Sequence, residues 1–390
     1  MKPRADGSSC WPTPQQKLLL RATLARGDEA RAAWTEWKPA LHRCDLDLAS
    51  KRMLPLLYRN LRSQDIADPA IDGLKDIYRT YWSTNQMLLR RAADILRDFH
   101  AAGIETLILK GAPLVLLYYR DYGVRPMADI DVLVPAAQAL KAIEFMTVTG
   151  WTRADAWPEI LHDSYILTGH AACFVDRAGR QVDLHWHVMP ECCDDDADLS
   201  FWGGAFAVDV HGVRTLTLNS SDHLLHVCVH GLRWEPLAPF RWVADAMAII
   251  NADAALDWER LAAQAHARRL VLPMKEALRY LVDEFGAPVP DGVLREIESA
   301  PTAWIDRVEY RYKTVDYRKK SLGYLPVHWF NYRRRESAAG SKASVAGFVK
   351  YVERLCGVEH LPALIAYATG RRLRRFRLSK DAAGGGVRTP

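Results

Sequence analysis

Asp129 and Asp131 stand two apart in the run Asp129-Ile130-Asp131-Val132-Leu133-Val134, which is β-prone and stopped by Pro135. Side chains alternate along a strand, so both carboxylates point to one face while Ile130 and Val132 point into a core. Two like charges about 7 Å apart on one face repel each other, and a divalent cation between them removes the conflict. Hard cations such as Mg²⁺ prefer oxygen ligands and are often held by one or two carboxylates plus substrate phosphates. A second run repeats the design: Val182, Leu184 and Trp186 fall on one face, Asp183, His185 and His187 on the other. If the two strands are neighbours, Asp183 completes a three-carboxylate site for two metal ions, suited to activating a hydroxyl and stabilising a departing pyrophosphate. His185 and His187 are then expected to support the carboxylates by hydrogen bonding. Leu109-Lys110-Gly111-Ala112 adds a third part, a strand that ends in Gly and opens a helix, where phosphate oxygens can approach backbone N–H groups. Lys110 and Arg125 are cations close by in sequence and are expected to clamp a triphosphate.

The elements that must position these residues are legible in outline. The pattern is largely helical from Gln16 to about Asp98, with Leu54, Leu57 and Leu61 at spacings of three and four. Pro69 is expected in a loop, with Asp72 starting the next helix. Texture changes at Gly103: Thr106 to Leu109 reads as a strand, Pro113 to Tyr119 as a helix, Asp121 to Ala128 as a loop. A strand over 129–134 and a helix over 136–148, closed by Gly150, follow. Residues 171–188 read as a hairpin turning at Arg177-Ala178-Gly179-Arg180. After Leu218 the pattern is helical to about residue 285, and 300–378 reads as further helices with loops. Residues 1–16 read as a loose arm. The expected fold class is α+β: an N-terminal helical region (1–100), a small mixed-sheet core (101–218), a C-terminal helical region (219–380) and a flexible tail (381–390).

Composition sets bounds on function. The chain has 390 residues, a net charge of +5 and 13 Trp, a mildly basic balance that lacks the strong bias of a dedicated nucleic-acid binder. The basic stretches Arg307–Arg335 and Arg371–Lys380 are expected to be solvated, so no nucleic-acid partner is expected. The run Asp194-Asp195-Asp196-Ala197-Asp198 is expected to be an acidic surface loop. Seven cysteines without a CxxC pair point to a reducing compartment. No apolar run reaches the roughly 18 residues of a spanning helix, and no signal-peptide pattern is present; the expected location is the cytoplasm. His223, His226 and His230 share one helix face. A zinc site there is conceivable, but a packed seam hydrogen-bonded to groups such as Asp245 is preferred.

Taken singly, the three chemical parts are weak signals; their order and context give them weight. The runs Leu109-Lys110-Gly111, Tyr118-Tyr119 and Gly123 to Val134, with Val182-Asp183-Leu184-His185-Trp186, His223 to Gly231 and Arg241 to Asp245, resemble the nucleotidyltransferase superfamily of the DNA polymerase β type. More narrowly, they resemble a bacterial family of uncharacterised nucleotidyltransferases with an LKG…RPMxDxDLLV signature, over roughly residues 20 to 290. The resemblance implies transfer of a nucleoside monophosphate from an NTP to a hydroxyl acceptor, with Mg²⁺ as cofactor. Asp129 and Asp131 would bind both metal ions, and Asp183 the ion that activates the acceptor. Lys110, Gly111, Ala112 and Arg125 would bind the nucleotide. Two departures stand out: Ala112 replaces the Ser usual after the first strand's Gly, and the gap from Gly111 to Asp129 is longer than in minimal members. The rival expectation is a non-catalytic module that keeps the fold and binds nucleotide or a partner.

Overall fold

Strands β1 (Leu107–Leu109), β2 (Ile130–Leu133), β3 (Thr152–Arg153), β4 (Ala171–Val175), β5 (Gln181–His185), β6 (Phe206–Val210) and β7 (Val213–Thr217) form one mixed sheet, ordered β3-β4-β5-β2-β1-β7-β6. The structure, a computed structural model, describes residues 9–42, 46–154, 163–194, 196–235, 240–253, 256–316 and 322–358. The β2–β5 and β1–β7 pairs are parallel and the other pairs antiparallel. The fold is the expected α+β class, with helices on both sides of the sheet in sequence. The basic stretch beginning at Arg371 lies outside the described residues.

Alternation along the central strands divides the apolar side chains between two cores. Ile108, Ile130, Val132, Val182, Leu184 and Trp186 pack with Leu89, Leu96 and Phe99 of the long helix Pro69–Ala101. Leu107, Leu109 and Leu133 join a second core shared by helices of both ends of the chain, among them Leu19, Trp34, Leu57, Leu224, Val243 and Leu278. Asp131, Asp183 and His185 alternate with the first set, so they emerge on the other side of the sheet.

Three local readings need correction. Asp68 accepts from the Ala70 amide as an N-cap, and Pro69 takes the first helical position instead of a loop; its missing N–H costs nothing there. The residues before Pro14 are not all loose: Cys10 is buried, its N–H donates to the Thr314 carbonyl, and Ser9 bridges Val315. Asp198 is no surface residue: it is buried, accepts from the Val188 amide at 3.1 Å, and lies 2.8 Å from His187 Nδ1. Strand β5 has ended by then, so His187 turns to Asp198 and leaves the face of Asp183.

The basic stretch Arg307–Arg335 is likewise only partly solvated. Lys313 and Arg334 are spent on buried Glu309, Lys313 also on buried Glu191, and Arg333 on Asp306. Burying these cations is tolerable because each meets a carboxylate and further hydrogen-bond partners. The network fastens helices Trp304–Lys313 and Leu325–Ala338 to the body of the chain.

Candidate active site

β2 and β5 run parallel in register, with Asp131 opposite Asp183 and Leu133 opposite His185. β1 pairs antiparallel to β2 with Leu109 opposite Asp131, which brings the next residue, Lys110, over the same carboxylate. Lys110 holds φ +50° and ψ −109°, a conformation that costs a side-chain-bearing residue about 1–3 kcal/mol and persists only where the surroundings impose it. Its Nζ donates to Asp131 Oδ1 and lies 3.5 Å from His185 Nε2, which is itself 3.1 Å from Asp131 Oδ1. Among the described residues, one group of donors can hold a metal ion: Asp131, Asp183 and His185, whose ligand atoms lie within 4.8 Å of one another. Two carboxylates and an imidazole suit a divalent cation.

Asp129 sits just before β2 and is close enough to couple electrostatically to this group without belonging to it. Burial, with Asp131 and Asp183 nearby, pushes its pKa up to about 6. Asp131 goes the other way: burial is outweighed by the Lys110 charge and the His185 contact, and its carboxyl is held well below the usual range. Burial also opposes the charge on Lys110, yet Asp131, Asp183 and Asp129 together raise its pKa above the ordinary lysine value. The loop leading to Asp129 is fixed by Asn85 of the long helix, whose Nδ2 donates to the Tyr122 and Arg125 carbonyls at 2.6 and 2.8 Å.

Lys110, Asp129, Asp183 and His185 line a cavity of about 600 Å³. Its remaining walls come from distant segments, including His170, Glu191, Arg233, Lys313, His328 and Tyr351. A smaller annex of about 90 Å³, walled by Arg125, Arg241, Trp242 and Asp245, adjoins it: both spaces are lined by Lys110, His226, His230, Arg233 and Glu235. Sequence reasoning did not single out Glu191, Arg233 or Lys313, because lone charged residues carry no spacing signal.

The nucleotide-binding candidates are placed unevenly. Arg125 lines the annex, but it is buried, and its Nε and Nη2 donate to Asp245 at 2.9 and 3.0 Å. Gly111 and Ala112 line neither space. A Cβ on Gly111 would meet Arg125 Nη1 at 2.8 Å and Met127 Sδ at 2.9 Å, so any side chain there would have to displace the ends of these two residues. The Ala112 methyl faces the core beneath the sheet. The expected helix over 113–119 is one short turn, Gly111–Pro113, followed by a π-helical stretch, Leu114–Tyr119. Asp245, anticipated as a partner of the histidine seam, is instead taken by Arg125 and by the Tyr119 hydroxyl at 3.0 Å.

The mixed sheet sets Asp131 and Asp183 on parallel neighbouring strands, with Lys110 at a strand end over Asp131. The chain belongs to the family described as uncharacterised nucleotidyltransferases, whose model matches residues 46–286. The match includes Lys110, all three aspartates and Arg241, and it ends before the helices that bring Lys313, His328 and Tyr351 to the cavity. Membership supports a general role in nucleotidyl transfer. No curated protein matches the chain. Among solved structures it is similar to an antigenic nucleotidyltransferase-like protein from Paracoccidioides brasiliensis, at 12% identity over 55% of this chain and 94% of that one, with a TM-score of 0.34. So loose a superposition adds nothing to the assignment.

Proposed function

We propose that the chain transfers a nucleoside monophosphate from an NTP to a hydroxyl acceptor and releases pyrophosphate. The observation that carries this reading is the register of β2 against β5, which sets Asp131 beside Asp183 at a cavity large enough for a nucleotide. Asp131 and Asp183 would hold Mg²⁺ with Asp129 as the third carboxylate, and His185 fixes Asp131. The bound metal ions would supply charge neutralisation at the phosphates and an activated acceptor oxygen. Lys110 holds the carboxylates together in the absence of metal and binds phosphate when nucleotide arrives. Gly111 lets Arg125 close against the strand end, so Arg125 acts chiefly through the fixed position it gives this wall. The acceptor is a small molecule, glycan precursor, peptide or protein, met in the cytoplasm; nucleic acid is not the expected class. No helix among the described residues is long and apolar enough to cross a membrane.

The second reading, a binding module without catalysis, draws on two observations. Lys110 already neutralises Asp131, and Ala112 offers phosphate no hydroxyl. Incubating the purified chain with each labelled NTP, Mg²⁺ and cell extract separates the two. Mg²⁺-dependent pyrophosphate release with a labelled product is expected; nucleotide binding without release from any of the four NTPs would leave the module.

A further inference from the structure

The cations on the walls of the cavity and annex are matched to carboxylates among the described residues, except Arg241; Arg52, which lines neither space, is unmatched too, and both are partly exposed. Lys110 meets Asp131, Arg125 meets Asp245, Arg233 meets Glu191, and Lys313 meets Glu191 and Glu309. Arg241 comes no nearer to a carboxylate than 3.9 Å, and that carboxylate is Asp245, already gripped through two nitrogens by Arg125. Arg52 has no carboxylate within ion-pair distance among the described residues, and its Nε is buried without a partner. Both guanidiniums donate to one acceptor, the Pro126 carbonyl, Arg52 at 3.3 Å and Arg241 at 3.1 Å.

Two guanidiniums converging on a single carbonyl repel each other, and their partial burial weakens the screening by water. The strain shows on Arg241, whose pKa burial and the charges of Arg125 and Arg52 press down to about 9. An anion beside them relieves this. Arg241 stands on the wall of the annex, next to Trp242, which opens helix Trp242–Ala252 without a side-chain cap. Two more buried polar atoms there lack partners: Nδ1 of His226 and Nε of Arg233, both on residues that line the cavity and the annex. A ligand that reaches from Asp129 and Asp183 past Lys110 would meet these atoms and Arg241, on a wall that also carries Glu235 and Asp245.

We propose that the annex receives the pyrophosphate end of the donor nucleotide, with Arg241 as its direct anion ligand and Arg52 as the supporting charge behind it. This rests on the reading that the donor is an NTP. Guanidinium suits the task, since its planar donors match phosphate oxygens and it stays charged. The adenine, guanine or pyrimidine of the donor has no part in this contact.

The test is a titration of the full-length chain with inorganic pyrophosphate in EDTA, read by tryptophan fluorescence and calorimetry. Pyrophosphate carries no base, so the unknown NTP preference does not enter. Arg241→Ala should weaken binding by at least about tenfold and Arg52→Ala by less, with Arg241→Lys recovering part of the loss. Mn²⁺ titrations in the same variants should show no loss of affinity, because the metal group does not include either arginine. Pyrophosphate binding unchanged in Arg241→Ala, or absent from the wild type, overturns the proposal. So does a loss of pyrophosphate affinity matched by an equal loss for Mn²⁺, which would reduce Arg241 to a prop for the Pro126 loop. If Arg241→Ala does not fold, Arg241→Lys and Arg241→Gln carry the comparison. Failure of the NTP reading looks different: the wild type then releases no pyrophosphate from any NTP, whereas failure of the annex alone leaves that release intact with an unchanged KM for NTP in Arg241→Lys and Arg241→Gln.

Discussion

Replacing Asp129 by Asn should make the metal-free chain more stable at neutral pH. The carboxyl of Asp129 ionises at about 6 in the fold instead of 3.8, through burial and the charges of Asp131 and Asp183. A raised pKa means that ionisation works against the fold. The associated stability is fully present below pH 3.8 and is lost as pH rises through about 6. Two pKa units correspond to about 3 kcal/mol, and the partial exposure of the side chain trims this to about 2 kcal/mol. Unfolding entropy near 2.1 cal/mol/K per residue gives about 0.8 kcal/mol/K for a chain of this length, so the variant should melt about 2–4 °C above the wild type at pH 7.5 in EDTA. At pH 4 the difference should shrink to a small fraction of this, and below pH 3.8 it should fade out. Mn²⁺ or Mg²⁺ should reverse the order, because ligand binding stabilises the fold that holds it and the wild type binds more tightly. Differential scanning fluorimetry from pH 4 to 8, with and without metal, reads all of this. A melting difference that is flat across pH, or an Asn variant that gains as much from metal as the wild type, refutes the electrostatic account of Asp129.

Lys110→Ala should bind Mn²⁺ more tightly than the wild type without nucleotide, since the ammonium no longer competes for Asp131, yet bind NTP about tenfold more weakly; calorimetry of each ligand checks both halves. Arg125→Ala should cost about 3–5 kcal/mol of stability by leaving buried Asp245 without its partner, a loss read in urea unfolding and largely restored by adding Asp245→Leu. Asp183→Asn should retain NTP binding but abolish product formation; a titration run beside a turnover assay shows whether the two separate.

Much of the site was legible because strand periodicity is a local property. The alternation of Asp129-Ile130-Asp131-Val132 and of Val182-Asp183-Leu184-His185 sorts acids from core residues without knowledge of the fold. It also predicted the face shared by Asp183 and His185, though it carried that face one residue too far, to His187. The β6–β7 hairpin went unread although its signal is present: apolar residues alternate on either side of His211-Gly212, and both turn residues have positive φ, as a tight hairpin turn requires.

What tertiary structure alone decided is which distant groups meet. No spacing rule joins Arg125 to Asp245, 120 positions away, or Arg52 and Arg241 to the Pro126 carbonyl. Those meetings follow from how helices pack on the sheet, and they tie Arg125, expected with Lys110 to clamp a triphosphate, to Asp245. Local pattern determines which side of a strand a carboxylate occupies. The charges and walls around it are set by long-range packing, in which each buried cation must find a carboxylate, a carbonyl or a bound anion.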